Sequence, residues 1–143
     1  MPFSFENRVG RLLEVTITGS LTLDDAQAFR TKMFLTLSGM QGRAVLCGEL
    51  RKCHMFNPEI GEKMVAMLKA DSPKVERSAF LVAEGPLAKQ IERIVAEAAR
   101  EAKAAGKPVP PRQCFRDVAS AHAWLGEVLN DAERARLAQV FPV

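Results

Sequence analysis

Residues 43–67, RAVLCGELRKCHMFNPEIGEKMVAM, decide the fold. Ala44, Val45, Leu46 and Cys47 form a short apolar run suited to a strand buried on both faces, whereas Ile60, Met64, Met67 and Leu68 recur at helical spacing. A strand therefore feeds a helix through one loop. Asn57 supplies a cap for the free N–H groups at the helix start, and Pro58 is suited to the first helical position. In open α/β proteins such a joint is where ligands and partners meet the carboxyl ends of strands and the positive ends of helices.

Upstream of this stretch, Phe3 and Phe5, then Leu12, Leu13, Val15 and Ile17, read as two strands joined by a tight turn over Arg8, Val9, Gly10 and Arg11. Alternation from Leu13 to Thr18 predicts a half-buried strand. Thr22, with Asp25 three residues on, caps a helix whose stripe is Ala26, Phe29, Met33, Leu37 and Met40, and Gly39 and Gly42 mark its end.

Downstream, Ser72 and Pro73 break the second helix, and the run SAFLVA at 78–83 predicts another strand, with Val75 and Arg77 leading into it. Beyond Gly85 and Pro86, Leu87, Ile91, Ile94, Val95, Ala98 and Ala102 line one side of a helix. Charged residues cover its other side, where Glu97 is spaced to pair with Arg93 and Arg100. Residues 113–116 predict a short strand, and Asp117 caps a helix carrying Val118, Ala121, Trp124, Leu125, Val128 and Leu129. A tail restarting at Asp131 sets Leu137, Val140 and Phe141 on one side and Arg134 and Arg136 on another, so it either docks on its own domain or meets a partner.

The order is strand, strand, helix, strand, helix, strand, helix, strand, helix. It predicts an α/β fold, with a mostly parallel five-stranded sheet after an N-terminal hairpin and helices packed on it. One domain is expected over 1–130, followed by a short amphipathic tail at 131–143.

The chain's 143 residues suffice to bury roughly two-thirds of the unfolded surface without staples. Cys47, Cys53 and Cys114 are an odd set without paired spacing, which points to reduced thiols in a cytosol. Cys53 and His54 are adjacent, too close for a zinc-ligand pair, and His122 stands alone, so neither metal nor cofactor is called for. Glu6 and Arg8 interrupt any signal core, and no apolar run approaches the roughly 20 residues that span a bilayer, so a cytoplasmic protein is expected. The net charge of +3 is spread among nearly equal acids and bases, with no aromatic platform between them. Nucleic-acid binding is not expected.

Three landmarks carry a resemblance. They are Gly19, Ser20, Leu21, Thr22, Leu23, Asp24 and Asp25 before the first helix, Ser78 to Val82 in the fourth strand, and an ending with Arg112, Cys114, Phe115, Ala121 and Trp124-Leu125. Together with the element order, they resemble the STAS superfamily and, within it, the SpoIIAA-like group of small bacterial proteins often labelled STAS/SEC14 domain.

The resemblance implies the anti-sigma-factor-antagonist fold. In those antagonists a turn with a phosphorylated hydroxyl opens the helix after the third strand, and the added charge breaks a complex. Here the corresponding turn falls on Asn57, Pro58 and Glu59, with Gly61 nearby, and carries no hydroxyl. A phospho-switch at this turn is therefore not expected. Glu59 is the acidic residue that any first helical turn favours.

These readings predict a non-enzymatic regulatory or protein-interaction module, meeting a protein partner through Arg51, Lys52, His54, Phe56, Asn57, Pro58, Glu59 and Gly61. The alternative, implied by the SEC14 label, is a carrier or sensor of a small apolar, lipid-like ligand, with Met33, Phe34, Met55 and Met64 as pocket candidates. An exposed Phe34 and Phe56 would form a patch for a partner or a membrane surface, with Arg51 and Lys52 able to touch acidic headgroups. Self-association into a homodimer, through the tail or the exposed helix faces, is the remaining partner expectation. No residue is expected to be catalytic. Cys53, His54 and Glu59 form the only grouping with nucleophile, base and orienter, and neighbours on an extended segment point apart.

Overall fold

The computed structural model describes residues 2–143. Strand β1 (Phe3–Glu6) turns back at Gly10, whose φ of +55° is open to glycine, and pairs antiparallel with β2 (Leu12–Ile17). Helix α1 (Leu23–Gly39), β3 (Ala44–Glu49), α2 (Pro58–Asp71), β4 (Val75–Leu81), α3 (Pro86–Ala104), β5 (Arg112–Phe115), α4 (Val118–Gly126) and α5 (Asp131–Val140) follow. The sheet order is β1-β2-β3-β4-β5, with every pair after the hairpin parallel, as the α/β reading expected.

Strand order follows chain order in one direction. Right-handed crossovers therefore put α1, α2 and α3 on one face. Leu13, Val15, Ile17, Leu46 and Leu50 bury against Phe29, Met33, Ile60, Met64, Ile91 and Ile94 on that face. The chain then passes β5 and returns beneath the sheet, where Leu12, Val45, Cys47, Ala79 and Leu81 meet Val118, Ala121, Leu125, Leu137 and Phe141 of the α4–α5 segment. Period-two alternation divides each strand between the two layers.

Several sequence expectations need correcting. Strand β2 is covered on both faces rather than half-buried, because α5 lies over its second side and Arg136 grips the buried Glu14 through 2.8 and 3.0 Å bonds. Strand β4 begins at Val75, three residues before the apolar run. Ala44 pairs with Val75 and Val45 with Arg77, so Glu76 is the extra residue of a β-bulge, and its charge is met by Arg11 at 2.6 Å. Strand β5 spans Arg112–Phe115, one residue earlier than read. Helix α4 stops at Gly126, short of Val128 and Leu129. Trp124 is only half-buried, its ring tilted against Phe115 at 5.5 Å and lying beneath the Arg77 guanidinium at 4.6 Å.

Segment 131–143 packs against the sheet. Asn130 and Glu133 form a capping box, and Glu133, almost fully buried, accepts the Arg11 backbone N–H at 2.6 Å beside Gly10. A Cβ on Gly10 would come within 2.1 Å of that carboxylate, so this turn requires glycine twice over.

Candidate functional site

The segment between β3 and α2 is built by hydrogen bonds from three directions. Leu50 continues the parallel ladder by donating to Leu81 at 2.8 Å. One turn later the chain zips onto the residue beyond β2: the Gly19 N–H donates to Lys52 at 2.9 Å and the His54 N–H to Gly19 at 2.9 Å. From the helix side, Gln90 of α3 clamps Phe56 twice, accepting its N–H at 2.8 Å and donating to its carbonyl at 2.7 Å. Asn57 then caps α2 by accepting from Ile60 at 2.9 Å, with Pro58 following as the first helical residue. The capped start agrees with the sequence reading.

Burial divides the expected interaction residues. Arg51, Lys52, His54, Asn57, Pro58 and Glu59 are exposed, as is the pocket candidate Met55 among them, while Gly61 is half-covered. Phe56 is not part of that rim. At 7% exposure it is core, so no surface pair with Phe34 forms. The clamp explains this, because holding the Phe56 backbone against Gln90 turns its ring beneath the loop. Arg51 is also less free than its exposure implies. Its Nε lies 2.9 and 3.0 Å from the two Glu49 oxygens, and that carboxylate raises its pKa above the ordinary value. Lys52 has no carboxylate within 4.0 Å among the described residues.

One hydroxyl does reach the loop, which the reading of residues 57–61 did not foresee. Ser20, arriving from the end of β2, sits 2.9 Å from His54 Nδ1. Sequence gave no cue, because the two residues are 34 apart and meet only through the Gly19 bridge. Both are open to solvent, and no cluster of three or more His, Cys, Asp or Glu side chains forms among the described residues. Cys53 lies beside them but faces inward, its thiol contacting the His54 carbonyl at 3.2 Å and pushed up to about 11 by burial. It is a protonated core thiol at neutral pH and no ready nucleophile.

Beneath the loop, sheet and helices enclose a cavity of about 60 Å³ with an entirely apolar lining. Met33 and Met64 line it, together with Phe56, Leu50 and Phe80. Phe34 and Met55, the other two pocket candidates, point to solvent at 63% and 53% exposure. Gly48 forms part of the wall, where an added Cβ would press on the Phe80 ring at 3.1 Å.

No family model matches the sequence, and neither does any curated protein. Solved structures do. An uncharacterized protein of the DUF3478 family with a SpoIIAA-like fold, from Shewanella loihica PV-4, superposes with a TM-score of 0.60 at 16% identity, covering 86% of this chain and 93% of its own. The anti-sigma factor antagonist SpoIIAA in its unphosphorylated form superposes with a TM-score of 0.55 at 10% identity, covering 88% of this chain and 99% of its own. This chain has the SpoIIAA-like fold, as its landmarks implied. At these identities the likeness concerns architecture. Among the described residues no helix is long and apolar enough to cross a membrane.

Proposed function

We propose that the protein is a non-enzymatic regulatory module of the cytosol that meets a protein partner through the rim formed by Lys52, His54, Met55, Asn57, Pro58 and Glu59. The observation that carries this reading is the rim's construction. Hydrogen bonds to the Gly19 and Leu81 backbone and to the Gln90 side chain hold it in place, and what it presents is a mixture of the Lys52 cation, an imidazole, an exposed methionine and a helix start. A preformed surface of that composition loses little entropy on docking, and an exposed apolar anchor ringed by polar groups suits a protein face. The structural neighbour named as an anti-sigma factor antagonist supports a regulatory role by its name.

Neither alternative is favoured. Among the described residues no carboxylate bonds to His54 to orient the Ser20–His54 pair as a nucleophile and base. The apolar cavity, at about 60 Å³, falls well below the roughly 300–1,000 Å³ of ligand pockets, too small for a carrier of lipid-like molecules.

A photo-crosslinking amino acid at Met55, compared with one at Lys103 on α3, tests the proposal. A discrete protein adduct from position 55 and none from 103 is the expected result. Identical adducts from both positions, or none from 55, would refute the rim.

A further inference from the structure

A second surface stands apart from the rim. Between α1 and the last turn of α2 runs an open groove of about 480 Å³, with Arg30, Phe34 and Leu35 on one wall and Met67, Ala70 and Asp71 on the other. Phe34 and Leu35 are consecutive and exposed at 63% and 62%, so two large apolar side chains stand at the lip of a groove that Met67 and Ala70 line together with the polar Gln27 and Thr31.

Two charges stand beside them, and neither has an ion-pair partner within 4.0 Å among the described residues. Asp71 is nine-tenths buried, and its Oδ2 has no hydrogen-bond partner. Arg30, on the facing helix, is half-exposed, and no carboxylate lies within 4.0 Å of it among the described residues. Burial pushes the Asp71 carboxyl up to about 6, and the attraction of Arg112, Arg30 and Lys107 only partly opposes it, as expected for a carboxyl that lacks a close counter-ion.

We propose that this groove is a self-association face. Two copies pack about a two-fold axis, Phe34 and Leu35 of each entering the groove of the other, and Arg30 of each reaching Asp71 of the second copy. The patch is self-complementary. An isologous contact requires a single patch to carry both halves of every interaction, since residue i meets residue j and j meets i. This groove carries an apolar lip facing Met67 and Ala70, with a cation and a carboxylate that have no ion-pair partner within 4.0 Å among the described residues. A foreign protein would have to bring an anion for Arg30, a cation for Asp71 and apolar groups for the lip in one arrangement, whereas a second copy already carries all three.

Light scattering on the size-fractionated protein, across the micromolar range, is the test. The native chain should show a mass that rises to twice the monomer's as concentration increases. Phe34→Asp and Leu35→Lys, both at exposed positions, should remain monomeric throughout with an unchanged melting temperature, and Arg30→Glu should weaken the dimer by at least about tenfold. Should Phe34→Asp lose structure, Leu35→Lys carries the same question. Met55→Lys, on the rim, should leave the dimer intact. A native chain monomeric at every concentration overturns the proposal, as does a dimer that survives both apolar substitutions or one that Met55→Lys dissociates.

Discussion

The two faces of the sheet are held by different physics. Under α1, α2 and α3 the contact is almost wholly apolar, with Phe3, Phe5 and Phe29 in edge and tilted arrangements at 4.6–5.9 Å and methionines filling the space around a small cavity. Under α4 and α5 a smaller apolar cluster is ringed by ion pairs and charge-assisted hydrogen bonds. Arg136 is bound to Glu14, Arg11 to Glu76 and to the Val128 carbonyl, Arg77 to Glu127 and Trp124, and Glu133 to the backbone of the hairpin. Dispersion and burial are non-directional, so the first face tolerates slack. Charge-assisted bonds are directional and fix the register of the helices they hold.

Leu12 and Leu13 offer the largest test of that contrast, because they are neighbours, both fully buried, and point to opposite faces. Truncation of either to alanine should cost about 2–5 kcal/mol by denaturant unfolding. A cost under about 1 kcal/mol for Leu12→Ala would mean that α4 and α5 contribute little to the core.

Next in size is the Glu14–Arg136 pair, whose carboxylate is 5% exposed and whose guanidinium is 22% exposed. Arg136→Met leaves Glu14 buried without its partner and should destabilise the fold measurably, though less than breaking a fully enclosed pair because Arg136 reaches solvent. Adding Glu14→Leu should return most of that loss. A double variant no better than the single would show that the pair acts through packing and not charge.

A smaller effect, of opposite sign, is expected on the first face. Gly61 sits within α2 with open space around the position of an added Cβ, so Gly61→Ala should raise stability by about 0.5–1 kcal/mol. A loss in the same thermal scan would reveal a close neighbour at that position.

The smallest concerns the second face. Burial lowers the pKa of His122 from 6.5, partly offset by a hydrogen bond to the Phe141 backbone. A histidine that protonates less readily when folded contributes its full stability above the unfolded pKa and loses it as pH falls through the window beneath 6.5. His122→Gln should therefore narrow its gap to the native chain, or overtake it, as melting is followed from about pH 8 to about pH 5. A gap that stays constant would remove His122 from the acid response.

The same contrast explains what could be read without coordinates. The first face was legible because its information is local. Ala26, Phe29, Met33 and Leu37 repeat at helical spacing, Thr22 and Asn57 cap where such residues cap, and the 44–47 run is uniformly apolar. Glu14, Glu133 and Arg136 look like solvent-facing charges to any periodicity argument. Only partners 122 residues away make them interior, and β2 was consequently read as half-buried. The bulge at Glu76 hid the start of β4 for the same reason, since two charges in a row read as a connection until Arg11 and Trp124 are placed against them. At the candidate site, the strand-to-helix joint and its cap were local and visible. The burial of Phe56 was not, because it depends on Gln90, and neither was Ser20 beside His54, which depends on the bridge from Gly19.

The central claim is that the rim between β3 and α2 is a rigid docking surface rather than a reactive centre. Its most direct test is the affinity of the crosslinked protein, once purified, for a Lys52→Glu, Met55→Ser double variant. Both side chains are exposed and absent from the core, so folding should be unaffected while affinity falls by at least about tenfold. Unchanged affinity in a folded double variant would contradict the claim.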